Sequence, residues 1–316
     1  MKEPSIPSVI LDCDPGHDDA IAIMLAAQFT RLLGITTVSG NAPVELTTRN
    51  ALIVTQLLGI DVPVHQGAAH PLTAPERHAA SVHGQSGLDG PVLPALQRTP
   101  ASHDAVDFII EATAREAGVW LVATGPLTNI AHALERDPLL TARVAGISIM
   151  GGSAREGNVT AAAEFNVWAD PEAADIVFAR GMAIRMCGLN LTRQLLTDEA
   201  LAERLQRRSD PVARFASAML DFLHSRMEAL RGDHRAALHD PCAVLAVTHP
   251  QLFVFRPRHV RVELAGELTR GMTVVDERAS RAAPAPNAEV AYEIDAPLAM
   301  ELVVSAIRAH AQPLGS

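Results

Sequence analysis

Short apolar runs closed by turn residues alternate along this chain with amphipathic segments, and that alternation restricts its possible folds more than any other feature. "SVILDCD" (8–14) predicts a strand and "DDAIAIMLAAQF" (18–29) a helix; "LLGITTVSG" (32–40) and "VELTTRNALIVTQLLG" (44–59) repeat the pair. The pattern returns in "VWLVATG" (119–125) with "LTNIAHALERD" (127–137), and in "VAGISIMGG" (144–152) with "PEAADIVFAR" (171–180). A strand at "AIRMCGL" (183–189), a helix at "DPCAVLAVTHP" (240–250) and a closing helix at "APLAMELVVSAIRAH" (296–310) extend it. Near-continuous apolar strands separated by helices imply an α/β fold. The expected core is an open, mostly parallel, Rossmann-like sheet with helices on both faces. "HVRVELAG" and "GMTVVDE" predict a small β-hairpin added to it, and the Pro/Ala-rich "RAAPAPNAE" (281–289) a loop. No internal repeat or low-complexity linker divides the chain, so residues 1–316 are expected to form one domain.

Composition removes several classes of partner. Lys+Arg 26 against Asp+Glu 36 gives a formal charge of −10, the wrong sign for nucleic acid or an anionic membrane. The opening "MKEPSIPSVILDCDPG" has no apolar core of a secretory signal, and no apolar run approaches the ~18 residues of a membrane span. Three cysteines (Cys13, Cys187, Cys242) lie far apart without a CxxC, which suggests neither a disulfide framework nor a zinc knuckle. A cytoplasmic protein is the expectation.

Open α/β sheets bind ligands beyond the carboxyl ends of their strands. The polar residues that stand out fall there: Asp14 after the first strand, Asn41 after the second, Thr124 after "VWLVA", and "MGGS" after the fourth. "LDCDPGHDDA" (11–20) packs Asp12, Asp14, Asp18 and Asp19 around a Pro15-Gly16 turn. One or two of these aspartates are explained as helix-capping groups. Four are not, because two carboxylates ~4 Å apart repel by ~4 kcal/mol at an effective dielectric near 20. Either some stay protonated or a divalent cation sits among them, and all-oxygen ligation favours calcium or magnesium over zinc. A strand ending in DxD also opens the haloacid-dehalogenase-like phosphotransferases, although Pro-Gly and a second acidic pair do not follow it there. GxGxxG, Walker A and GxSxG motifs are absent.

Further along, "ALHDPCAVLAV" places His239 and Asp240 before an apolar helix, where Asp240 followed by Pro241 also reads as an ordinary helix opening. In "EGNVTAAAEFNVWADPEAA", Asn158, Glu164 and Asn166 stand among apolar residues with no charged partner for Glu164 nearby, a set suited to a polyhydroxyl ligand or to an ordinary loop. "SVHGQSGLDGP" (81–91) reads as a glycine-rich surface loop or lid, with His83 solvated.

Taken together, "LDCDPGHDDAIAIMLA", "TTVSGN", "VHGQSGLDGP", "ATGPLTNIA", "IMGGS", "GNVTAAAEFNVWADPEAA", "LHDPC" and "GMTVVD" resemble the inosine–uridine-preferring nucleoside hydrolases nearly end to end. "DPGHDDAIAI", "VHGQSGLDGP" and "LHDPC" look closest to the bacterial branch that prefers pyrimidines. The resemblance implies a calcium ion held by Asp14, Asp19, the Thr124 carbonyl and Asp240, with Asp14 as general base toward the attacking water. It implies Asp18 at the ribose 2′-hydroxyl, Asn166 near the 3′-hydroxyl, Asn158 and Glu164 at the 5′-hydroxyl, and Asn41 positioning water and ribose. His239 would stand beside the base and assist its departure, with His83 near the leaving group and Asp12 supporting the loop. It further implies a small-molecule ribonucleoside substrate and a homo-oligomer, dimer or tetramer. Two readings from other classes stay open: a non-catalytic calcium-dependent nucleoside- or ribose-binding protein, and a magnesium-dependent phosphotransferase. The chain departs from the family at "GLNLT", where Asn190 replaces the usual acid. It also departs in the helix before His239, which lacks aromatic residues at the base; Met227, Arg231 and His234 are candidates to replace them.

Overall fold

The computed structural model describes residues 6–208, 210–278 and 283–310. Its strands are β1 (Ser8–Cys13), β2 (Arg31–Thr37), β3 (Val64–Gln66), β4 (Trp120–Ala123), β5 (Gly146–Met150) and β6 (Ile184–Cys187). They continue with β7 (Leu196–Thr197), β8 (Ala236–Ala237), β9 (Phe253–Arg258), β10 (Val260–Val262), β11 (Thr273–Val275) and β12 (Ala288–Ile294). Eight of them form one sheet in the order β3-β2-β1-β4-β5-β6-β12-β9. Every pair in it is parallel except the edge strand β9, which runs antiparallel to β12. The expected α/β sheet and its added hairpin are both present, the hairpin being the β10–β11 pair.

Strand β1 shows why the sheet needs cover on both sides. Val9, Leu11 and Cys13 enter one buried apolar cluster, while Ile10 enters the other. The Pro241–Thr248 and Ala296–Ala309 helices pack with the His17–Phe29 helix on the first face; the Ala105–Arg115, Thr128–Arg136 and Pro171–Ala179 helices cover the second. The His17–Phe29 helix is buried at every position from His17 to Ala26, so it is a core helix rather than an amphipathic surface one. Burying Ile21, Ile23, Met24 and Leu25 contributes roughly 1.5–3 kcal/mol each, an upper estimate.

Several expected boundaries move. The first helix starts at His17, one residue early, because Gly16 is its N-cap. β2 ends at Thr37, and the turn residues through Asn41 leave the sheet. Elements not expected include β3, β9, β12 and the Ala105–Arg115 and Glu199–Gln206 helices. The helix before His239 stops at Arg231, where Gly232 takes a left-handed φ of 67°; the chain then pairs β8 with β7. Within the expected 281–289 loop, Arg281 and Ala282 lie outside the described residues, and Ala288 already opens β12. Cys13, Cys187 and Cys242 are buried free thiols. Among the described residues no helix is long and apolar enough to cross a membrane.

Candidate active site

The chain order along the sheet reverses between β1 and β4, which opens a crevice at their carboxyl ends. The Pro15-Gly16 turn leads from β1 into the His17–Phe29 helix there, and carries the aspartates with it. Asp14 Oδ2 accepts the Asn41 backbone N–H at 2.6 Å, whereas Oδ1 is buried with no partner. Two glycines leave room for this carboxylate. A methyl group at Gly40 would meet Oδ2 at 2.1 Å, and one at Gly125 would meet Oδ1 at 2.7 Å.

The remaining acids converge on the same place. One carboxylate oxygen each of Asp18, Asp19 and Asp240 lie within 4.8 Å of one another, all three residues buried. Asp19 Oδ2 accepts the Gly16 N–H at 2.9 Å, as a capping group does, and also the Asn41 side-chain amide at 3.2 Å; its Oδ1 accepts the Thr124 hydroxyl at 2.8 Å. Asp18 Oδ2 accepts the His239 backbone N–H at 3.2 Å. Asp240 sits at the N-cap of the Pro241–Thr248 helix, yet its side chain makes no capping bond, so the ordinary helix-opening reading does not account for the carboxylate. Asp12 lies inside the strand end and supports it, accepting the Thr36 hydroxyl at 2.5 Å and the Asn129 amide at 2.8 Å.

Burial and mutual repulsion make these acids hard to ionise as they stand. Burial, then the neighbouring charges of Asp19 and Asp18, push Asp14 well above the usual carboxylate range. Asp240 is pushed well up by burial and then by Asp18, Asp19 and Asp14; burial, then Asp18, raises Asp19 to about 6. An unpartnered buried oxygen on Asp14 and three converging carboxylate oxygens form an all-oxygen donor set that suits a hard divalent cation.

Above this floor is a cavity of about 560 Å³ lined by Asp18, Asn41, His83, Thr124, Asn158, Glu164, Asn166, His239 and Asp240. Every expected site residue except Asp14 and Asp19 is on its wall; those two lie deeper, in contact with Asn41. Glu164 caps the Phe165–Ala169 helix, accepting N–H groups from Asn166 (2.9 Å), Val167 (3.2 Å) and Gly152 (2.9 Å). Burial outweighs those bonds and raises its carboxyl to about 7. Asn166 donates its amide to the carbonyl oxygens of Thr124 (2.8 Å) and Met150 (3.0 Å). Asn158 is exposed and accepts the Phe165 N–H at 3.0 Å. His239 Nδ1 is 2.7 Å from the Thr192 hydroxyl, and burial lowers its pKa.

His83 corrects an expectation. It is only 8% exposed, not solvated, because the Ala80–His83 helix turns it inward against Gly16 and His17. The segment that carries it is not wholly a surface loop either, since Leu88 is fully buried. Arg77 ties this segment to the next wall: its guanidinium stacks 3.6 Å from the centre of the Trp168 ring and donates to the Trp168 carbonyl at 2.7 Å. Met227 and Arg231 line the cavity, but His234 is exposed and faces Glu199 and Glu228, so it has no place in the site. Asn190 has a definite use: its Oδ1 accepts the Ala154 N–H at 3.0 Å and its Nδ2 donates to the Ala291 carbonyl at 2.9 Å. An aspartate could not make the second bond. Sequence reasoning passed over His17, Gly40, Gly125 and the apolar lining from Val82, Phe165 and Leu223. The glycines had a readable signal, since each lies in the turn two or three residues past a strand end, in "VSGN" and "ATGP".

The profile of the inosine-uridine preferring nucleoside hydrolases matches residues 9–301. The chain belongs to this family. Among curated relatives, the pyrimidine-specific ribonucleoside hydrolase RihA of Shewanella sp. (strain ANA-3) is 44% identical over 304 residues, covering 95% of each chain. RihA of Enterobacter sp. (strain 638) is also 44% identical, over 91% of this chain and 93% of its own. Among solved structures, the purine-preferring ribonucleoside hydrolase from Gardnerella vaginalis superposes with a TM-score of 0.90 at 33% identity, covering 96% of this chain and 99% of the other. An inosine-guanosine nucleoside hydrolase gives 0.87 at 28% identity, with the same coverage. As a member of the nucleoside hydrolase family the chain is an enzyme of the N-glycosidase class. That membership displaces both the phosphotransferase and the non-catalytic binding-protein readings.

Proposed function

We propose that this nucleoside hydrolase cleaves the N-glycosidic bond of ribonucleosides to free base and ribose, that it favours pyrimidine ribonucleosides such as uridine and cytidine over purine ones, and that its ion is calcium. The observation that carries the reading is one cavity whose wall brings Asp18 and Asp240 together with Asn158, Glu164 and Asn166, with Asp14 and Asp19 behind it on Asn41. The pyrimidine preference rests on relatives named pyrimidine-specific at 44% identity, against 33% for the purine-preferring structure.

Asp14, Asp19, the Thr124 carbonyl and Asp240 would hold the calcium. When bound, the ion supplies Lewis acidity to water and an anchor for the ribose diol. Asp14 takes a proton from the attacking water, a role open to a buried carboxylate whose Oδ1 has no protein partner. Asn41 orients water and ribose from beside Asp14. Asp18 accepts the 2′-hydroxyl. Asn166 has donated its amide to two carbonyls, so its oxygen is what remains for the 3′-hydroxyl. Asn158 and Glu164 take the 5′-hydroxyl. His83 and His239 flank the base. Burial keeps the His239 imidazole neutral at pH 7, so it assists departure through a hydrogen bond to the base. Positive charge builds on the ribose as the bond to the base breaks, and the acidic floor favours that state over the ground state.

A panel of uridine, cytidine, inosine, adenosine and 2′-deoxyuridine, ranked by kcat/KM, tests this. The pyrimidine ribonucleosides should rank first, and 2′-deoxyuridine should fall about 10⁴-fold below uridine, because it leaves polar groups unpaired. Equal rates on uridine and its 2′-deoxy form would overturn the diol contacts.

A further inference from the structure

His17 has no part in the chemistry above, yet it is fully buried at the cavity edge between two rings. Its imidazole lies 5.1 Å from the Phe222 ring at 10°, and 5.2 Å from His83 at 21°. Two polar contacts hold it: Nε2 is 2.7 Å from the Asp89 carbonyl oxygen, and Nδ1 is 3.0 Å from His83 Nδ1.

Those contacts determine where the protons stand. A carbonyl oxygen only accepts, so His17 Nε2 carries the N–H. A neutral imidazole has one N–H, which leaves His17 Nδ1 bare. The hydrogen between the two Nδ1 atoms therefore belongs to His83. The reverse placement would set two acceptors, His17 Nε2 and the Asp89 oxygen, 2.7 Å apart. The His17 backbone N–H also points at His83 Nδ1, at 3.4 Å; this contact favours a bare Nδ1, but it is the longest and weakest of the three and is outweighed by the 2.7 Å and 3.0 Å pair. The Nδ1–Cε1 edge of His83 is the edge that packs on Gly16, where a methyl group would meet Nδ1 at 2.6 Å, and His83 lines the cavity.

We infer that His17 is a positioning residue: it fixes His83 as the Nδ1–H tautomer, so that His83 presents a bare, accepting Nε2 to an N–H or O–H of the bound nucleoside. The ligand named here rests on the proposed function, whereas the tautomer does not.

Ring ¹⁵N NMR of the full chain without substrate, at neutral pH, reads the tautomer directly, with the His83 signals identified by their loss in His83→Gln. The expected result is His83 protonated at Nδ1 and bare at Nε2, with His17 the opposite. His83 protonated at Nε2, or His17 protonated at both nitrogens, would overturn the inference whether or not the chain hydrolyses nucleosides. In His17→Leu, His83 should lose its single tautomer and kcat/KM on uridine should fall about tenfold, the scale of one buried hydrogen bond. His17→Asn, whose amide oxygen can occupy the Nδ1 position, should recover most of both. An unchanged His83 tautomer in His17→Leu would contradict the positioning role.

Discussion

A methyl group at Gly125 would stand 2.7 Å from Asp14 Oδ1, the one oxygen of that carboxylate without a partner. Gly125→Ala should therefore move Asp14, the proposed general base, while leaving the sheet intact. Misplacement on the ångström scale costs about 100-fold in rate, so kcat/KM on uridine should fall by about that factor with little change in melting temperature. Full activity would show that Asp14 need not sit where the glycines hold it. Asp14→Ala should abolish measurable turnover in the same assay. At Asn190 the prediction concerns stability. Asn190→Asp leaves the Ala291 carbonyl without its donor, so urea unfolding should report a loss of about 1–3 kcal/mol. An Asn190→Asp protein as stable as the parent would mean that this bond contributes nothing.

Elements were legible where burial was two-sided. β1 reads as a strand because Val9, Ile10 and Leu11 all face apolar clusters, and the Pro171–Ala179 helix reads from Asp170 and Pro171 at its start. β9 was hidden because its edge position tolerates Pro257 and two arginines, and β3 because three residues carry no period. Joining β1 to its helix puts raised carboxyls on one turn, and this has a pH signature. Asp19 near 6, Asp12 and Glu164 near 7, and the raised carboxyls of Asp14 and Asp240 all bind protons more tightly folded than unfolded. Their stabilisation is complete below the ordinary carboxylate pKa and is lost as pH rises through these raised values. The metal-free chain should melt at progressively lower temperature from about pH 5 to about pH 8. Calcium favours the ionised acids, so it should raise the melting temperature more at the higher pH. A larger calcium effect at about pH 5 would contradict the assignment of these acids to the ion.

Across the whole molecule, the site is assembled from Asp14 near the amino end to Asp240 more than two hundred residues later, and a parallel sheet with a switch between β1 and β4 brings them together. The acids were legible because four aspartates in one turn demand an explanation, and Glu164 because it stood among apolar residues. His17 was not, because its role depends on Asp89 and His83 meeting it from a segment far along the chain. Nor could the inward turn of His83 be read from a glycine-rich stretch. The proposed chemistry needs this acidic floor to work with a calcium ion in releasing base from ribose. Uracil and ribose release from uridine should be followed with chelator-treated enzyme, before and after calcium is restored. Turnover should be lost on chelation and recovered with calcium; undiminished hydrolysis by the calcium-free enzyme would contradict the role proposed for the ion.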